Sequence, residues 1–174
     1  MERYLICLLL IPLLLNNSCQ KDDLSISHKM RGLLNAQTWE AEGEFTFNLP
    51  HAIGIDLGFA KYSSNGELRE RLIVYKVPFE IGVYSIRMTT SQINEAITGA
   101  VYRTFSHDGD VIKDTYRLHT SAHNVIKITE ADAEKNIVKG EVNATFLVDP
   151  LDRDNASIDT IHIENGLLEI TLRD

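Results

Sequence analysis

Four oxygen-bearing side chains crowd one short stretch, DPLDRDN: Asp149, Asp152, Asp154 and Asn155. Clustered carboxylate and amide oxygens are what a calcium ion takes as ligands. The spacing is not that of an EF-hand loop, and Arg153 adds an opposing charge. These residues therefore stand as calcium candidates against the ordinary reading, a solvated acidic loop. His119 and His123, in HTSAH, come nearest to a zinc pattern. On an extended strand they would stand about 13 Å apart, at roughly 3.3 Å per residue, too far to share one ion. Only a turn over Thr120 to Ala122 would bring them together. No cysteine stands near as a third ligand and no HExxH occurs, so ordinary loop and strand histidines are expected.

Ser121 lies between those histidines, but GxSxG is absent and neither histidine has a visible orienting carboxylate. Glu67 with Glu70, and Asp108 with Asp110, read as surface spacing, since a glycosidase pair needs a cleft and a set separation. Trp39, Tyr62, Tyr84, Tyr102 and Tyr116 offer rings suited to stacking on sugars; as half-buried strand residues they would do no such work. No glycine-rich phosphate loop and no basic aromatic stripe is present, which speaks against nucleotide and nucleic-acid binding. The expectation is no catalytic residue, no cofactor and no nucleic-acid partner.

The remaining reactive side chain is Cys19. Upstream, Arg3 supplies a positive end and Tyr4 to Leu15 forms a 12-residue apolar stretch broken only by Pro12. A membrane-spanning helix needs about 20 apolar residues, so residues 1–18 read as an export signal. Cys7 leaves with that signal, Cys19 becomes the sole thiol, and no internal disulfide can form. The loss of Glu2 and Arg3 removes one charge of each sign, so the exported part, 19–174, keeps the net charge of −8. Such a chain repels phosphate backbones and anionic lipid surfaces on average. With 44% hydrophobic and 24% charged residues, it has the composition of one globular domain with its own core.

Residues 20 to about 34 are polar with no clean period until Met30 and read as a tether leading into the fold. From Gln37 onward the period is two almost everywhere, the mark of strands with one buried face. Ile53, Ile55, Leu57 and Phe59 alternate with Gly54, Asp56 and Gly58. Val138, Gly140, Val142, Ala144, Phe146 and Val148 alternate with Lys139, Glu141, Asn143 and Thr145. Turn chemistry falls at Asn65-Gly66, Asp108-Gly109 and Asn165-Gly166. A two-residue turn at the last would place Ile163 opposite Leu168 and Ile161 opposite Ile170. About nine or ten short strands with regular turn signals predict an all-β domain. It is expected as a single antiparallel β-sandwich, with a closed lipocalin-like barrel as the alternative. The boundaries are 1–18 signal, 19–34 lipidated cysteine and tether, and 35–174 β domain.

Ser18-Cys19 after an aliphatic run resembles a bacterial lipobox, relaxed in having Asn16 where leucine is usual. Relaxed boxes of this kind are common in Bacteroidetes lipoproteins, and Lys21, Asp22 and Asp23 are similar to their surface-export signal. Gln20 after the cysteine, by the same resemblance, argues against inner-membrane retention. With NAQTWEAEG, VPFEIGVYSI, VKGEVNATF and NGLLEITL, the chain resembles small Bacteroidetes lipoproteins of a family known only as a domain of unknown function. The resemblance implies an exported β domain with acyl chains (palmitate among them) on Cys19, held at the outer membrane and facing the surface or the periplasm. The expected function is a non-catalytic binding or interaction module with a glycan or protein partner. Its alternative is a barrel that carries a small apolar ligand inside, lined by residues such as Ile55, Phe59, Val142 and Phe146. A hydrolase ranks last.

Overall fold

The computed structural model describes residues 29–47, 54–88, 97–152, 156 and 158–171. Ten strands run through them: β1 Lys29–Leu34, β2 Gln37–Phe47, β3 Ile55–Tyr62, β4 Leu68–Val77, β5 Gly82–Ser85, β6 Gly99–Phe105, β7 Ile112–Leu118, β8 Val125–Asp132, β9 Ile137–Val148 and β10 Thr160–Thr171. Hydrogen bonding orders them β10-β1-β2-β3-β4-β6-β7-β9-β8-β5, and β9 pairs again with β10. That second pairing closes β1, β2, β3, β4, β6, β7, β9 and β10 into an eight-stranded antiparallel barrel. The expected sandwich is thereby corrected in favour of its alternative, the closed barrel. Alternation along a strand marks only which face is inside. It does not say whether the last strand meets the first, as β10 does when Lys29 pairs with Glu169.

The inner face follows the period of two. Along β9 every second residue from Val138 to Val148 is buried, as the alternation requires. Met30, Leu57, Phe59, Leu72, Val74, Val142, Phe146 and Ile170 show 0% exposure. Each fully buried side chain of this size contributes about 1.5–3 kcal/mol from water exclusion. Gly140 belongs to this face for a steric reason, because a Cβ there would overlap the Lys127 carbonyl of the neighbouring β8.

β7 and β8 share one edge of β9. Tyr116 to Leu118 pair with Val148 to Phe146, and Val125 to Asp132 pair with Asn143 to Ile137. Together they act as a single long strand interrupted by the loop 119–124. β5 continues along β8 in the same way, pairing Gly82 with Ile128 and Ser85 with Val125.

Two expectations about the chain path change. The tether ends earlier than residue 34: Lys29–Leu34 is a strand clasped between β10 and β2, and Met30 is fully buried. The glycine between its two inward apolar residues, Met30 and Leu34, concealed it, for Gly32 lies so close to Gly166 that no Cβ would fit. The Asn165-Gly166 hairpin is also absent. Residues 160–171 form one strand, and the register against β9 slips between Ile163 and Gly166. The left-handed Asn165 (φ 51°) serves a β-bulge instead of a turn. The other two turn signals do make hairpins, with Gly66 at φ 82° and Gly109 at φ 78°.

Strand direction gives the barrel two distinct rims. One holds Lys29, Phe47, Val77, Asp132 and Thr171. The opposite rim carries the turns after Leu34, Tyr62 and Phe105 and the connection from Val148 to Thr160.

Candidate functional site

Polar groups gather inside the barrel at the rim opposite Lys29. Glu70 faces Thr104 across β4 and β6, and Thr104 faces Asp114 across β6 and β7. All three share the inward parity of Leu72, Tyr102 and Tyr116. One Glu70 oxygen, Oε2, accepts hydrogen bonds from Trp39 Nε1 and from the Tyr102 hydroxyl, each at 2.6 Å. Its Oε1 accepts from Lys61 Nζ at 3.2 Å. The Thr104 hydroxyl donates to Asp114 Oδ2 at 2.9 Å. Asp114 is 1% exposed, and its Oδ1 has no partner among the described residues. Tyr116 donates to the Ile158 carbonyl at 3.1 Å, fastening the β9–β10 connection to the wall.

Aromatic bodies fill the space beneath this polar layer. Tyr102 meets Tyr116 edge-on at 5.8 Å between ring centres and Phe146 at 6.2 Å. Burial, and then the charge of Glu70, holds the Tyr102 phenol far above its usual range. Burial first, then the charges of Asp114, Asp159 and Asp152, pushes Tyr116 up to about 12. Both rings are held neutral with their hydroxyl protons in structural hydrogen bonds. Glu70 and Asp114 lie two strands apart, about 10 Å between backbones at the usual sheet spacing. Thr104 and Tyr102 occupy the space between them. The arrangement closes the end of the barrel with polar groups that are hydrogen-bonded to one another, Asp114 Oδ1 excepted among the described residues.

Sequence reasoning took Glu70 for a surface acid and passed over Thr104 and Asp114. Parity was the available signal. Glu70 falls in step with Leu72 and Val74, and Asp114 in step with Tyr116 and Leu118, so each carboxylate had to point inward.

Of the calcium candidates, Asp149 and Asp152 are described, while Asp154 and Asn155 lie outside the described residues. Asp149 is 5% exposed, accepts from the Leu151 amide at 3.1 Å and pairs with the Arg117 guanidinium. Asp152 Oδ2 accepts from the Thr115 amide at 2.8 Å. Both carboxylates are engaged in fixing the loop to β7. Among the described residues no group of three His, Cys, Asp or Glu is placed to hold a metal ion. Cys19 and the export residues Lys21, Asp22 and Asp23 also lie outside the described residues.

The turn after His119 does form, with the Ala122 amide donating to the His119 carbonyl at 3.1 Å. Asn124, 6% exposed, organises it. Its Nδ2 donates to the carbonyls of His119 and Ala122 at 2.8 and 3.1 Å, and its Oδ1 accepts from the Thr145 amide at 2.8 Å. His119 is half-buried and His123 exposed. His123 borders an open groove of about 440 Å³ between Ser85–Met88 and this loop, and no carboxylate among the described residues lines that groove. The candidate aromatic platform is dispersed, in keeping with the ordinary reading of strand residues: Trp39, Tyr102 and Tyr116 are inside at 1–2% exposure, whereas Tyr62 is 38% exposed on the rim.

Comparison with known proteins yields no match: no family model, no curated protein and no solved structure is similar to this chain.

Proposed function

We propose that the chain is an exported lipoprotein, anchored through Cys19, whose barrel is a non-catalytic binding or interaction module. The observation that carries this reading is the polarity of the barrel. The chain enters at the rim of Lys29, which would face the membrane, and the rim opposite presents four connections outward. Those connections and the strand ends beside them expose Tyr62 (38%), Val111 (60%), Ile112 (44%), Leu151 (88%) and Ile158 (44%). Loops set on a rigid scaffold and exposing large apolar side chains are suited to contact with another molecule. The resemblance of LNNSCQKDD to Bacteroidetes lipoprotein signals supports delivery to the outer membrane, with a glycan or protein as partner.

Two measurements test it. Cys19→Ala is expected to move the protein from the membrane fraction to the soluble fraction, and unchanged fractionation would remove the anchor. A photo-crosslinking side chain at Leu151 is expected to capture a partner on whole cells, whereas one at Leu167, exposed on the β10 wall, is expected to capture none. Equal capture at both positions would count against the rim.

Barrel closure alone also suits a carrier of a small apolar ligand. The filling of the interior weighs against it. Ile55, Phe59, Val142 and Phe146, the expected cavity lining, are each 1% exposed or less, so no water-sized space lies beside them. A hydrolase ranks lowest, because among the described residues the polar layer places no nucleophile and base together in an open cleft.

A further inference from the structure

The barrel wall breaks where β8 takes over from β7, and the groove of about 440 Å³ opens at that break. It shares no residue with the polar layer or with the exposed side chains of the rim. Both of its sides are held by hydrogen bonds. The loop 119–124 is tied to β9 by the His119 amide, which donates to the Thr145 carbonyl at 2.8 Å, and by Asn124 Oδ1, which accepts from the Thr145 amide. The facing segment is tied twice: the Ile86 amide donates to the Asn124 carbonyl at 3.0 Å, and the Arg87 amide to the Thr98 carbonyl at 2.9 Å. A ligand would meet a groove already shaped, and pre-formed sites of about 300–1,000 Å³ are the usual setting for small molecules.

The lining divides by chemistry. Ile86 and Leu118, 3% and 4% exposed, form an apolar floor. Met88, 50% exposed, adds an unbranched side chain that adapts to what it covers. The polar part offers donors: the Arg87 guanidinium, the Thr120 hydroxyl and the His123 ring. Arg87 and His123 are exposed, and neither side chain has a hydrogen bond or ion pair with another described residue. By contrast, Arg69 pairs with Glu67 and Arg117 with Asp149. The positive charge of Arg87 thus stands beside apolar surface with no acid of its own lining the groove, in a chain of net charge −8.

We propose that this groove binds a small carboxylic acid with an apolar body. The Arg87 guanidinium pairs with the carboxylate, and Ile86, Met88 and Leu118 take the apolar chain. One fixed positive charge matches one negative charge, and the planar fork of a guanidinium matches the two oxygens of a carboxylate. A phosphate monoester carries up to about two charges and would keep one uncompensated in the negative field of the whole chain.

The test labels the methionine methyl groups of the full chain with ¹³C and titrates it with sodium octanoate at constant ionic strength. Met88 lines the groove, while Met30 is sealed inside the barrel. The Met88 signal is expected to shift along a saturable curve and the Met30 signal to stay still. Arg87→Gln is expected to weaken octanoate binding about three- to tenfold, and Arg87→Lys less. Octanamide, which lacks the charge, is expected to bind more weakly than octanoate and to be indifferent to Arg87→Gln. 3-Phenylpropionate, titrated in parallel, distinguishes an aromatic from an aliphatic body; saturable binding of either acid supports the site. No saturable shift at Met88 with either acid, a drift shared by Met88 and Met30, or octylammonium or octyl phosphate binding as tightly as octanoate overturns it. If Arg87→Gln does not fold, the wild-type comparison of octanoate with octanamide and octylammonium still decides.

Discussion

Glu70 holds two large aromatic side chains through a single oxygen, which makes it costly to remove. Glu70→Ala leaves the Trp39 and Tyr102 donors buried without an acceptor and is expected to cost roughly 2–4 kcal/mol in urea unfolding. Glu70→Gln keeps an acceptor oxygen and is expected to lose about half as much. Equal losses would mean that the charge, not the hydrogen bonds, matters. The tyrosines set a limit at high pH. Tyr116 binds its proton more tightly in the folded barrel, with a pKa of about 12, than in the unfolded chain, where it titrates near 10. Its contribution is therefore complete below about pH 10 and lost as pH rises through about 12. Tyr102 adds in the same direction. Melting temperatures are expected to fall between about pH 10 and pH 12, and less steeply in Tyr116→Phe. Such residues were half legible. Their inward parity could be read from β4 and β7, but their partners came from strands 31 and 32 positions away in sequence.

At the level of the strands, period-two alternation located β3, β4, β6, β7, β8 and β9 well, because burial on one face imposes it directly. It failed where backbone geometry served another purpose. Asn-Gly at 165–166 carries the chemistry of a tight turn, yet here it makes a bulge whose Asn165 amide donates to Asn143 Oδ1 at 2.9 Å. That acceptor sits on β9, so nothing local to β10 distinguishes bulge from turn. β1 was missed because its inward positions are Met30, a glycine and the half-buried Leu34, too few apolar side chains to show a period. Glycines also fix the distance between strands. Gly140→Ala would force a methyl against the Lys127 carbonyl, a backbone atom with little freedom, and is expected to destabilise by about 1–3 kcal/mol. Gly66→Ala, where no atom lies within reach of the new Cβ, tests backbone strain alone (φ 82°) and is expected to cost about 1 kcal/mol. Chemical denaturation of the two variants side by side checks the difference.

For the whole molecule, the choice between sandwich and barrel turned on one long-range seam that strand patterns do not encode. Once the seam is present, it gives the barrel a membrane-facing entrance in the proposed orientation and an outward rim. The rim and the polar closure beneath it are separate layers at that end of the barrel. The chemistry of the acidic loop was not legible: Asp149 and Asp152 are tied down by Arg117 and Thr115 of the neighbouring strand β7, a pairing that spacing in DPLDRDN could not reveal.

The seam between β1 and β10 also orders events in time. β1 starts at Lys29 and its partner ends at Thr171, so the ring cannot shut until almost the whole chain is available. A chain threaded outward from its N-terminus would form the β1–β4 meander first and wait for its last strand with an edge unpaired, and pairings this distant in sequence form slowly. A chain stopped after residue 159 is expected to remain open and to aggregate in light scattering. Added β10 peptide, supplied in trans, is expected to restore the soluble form.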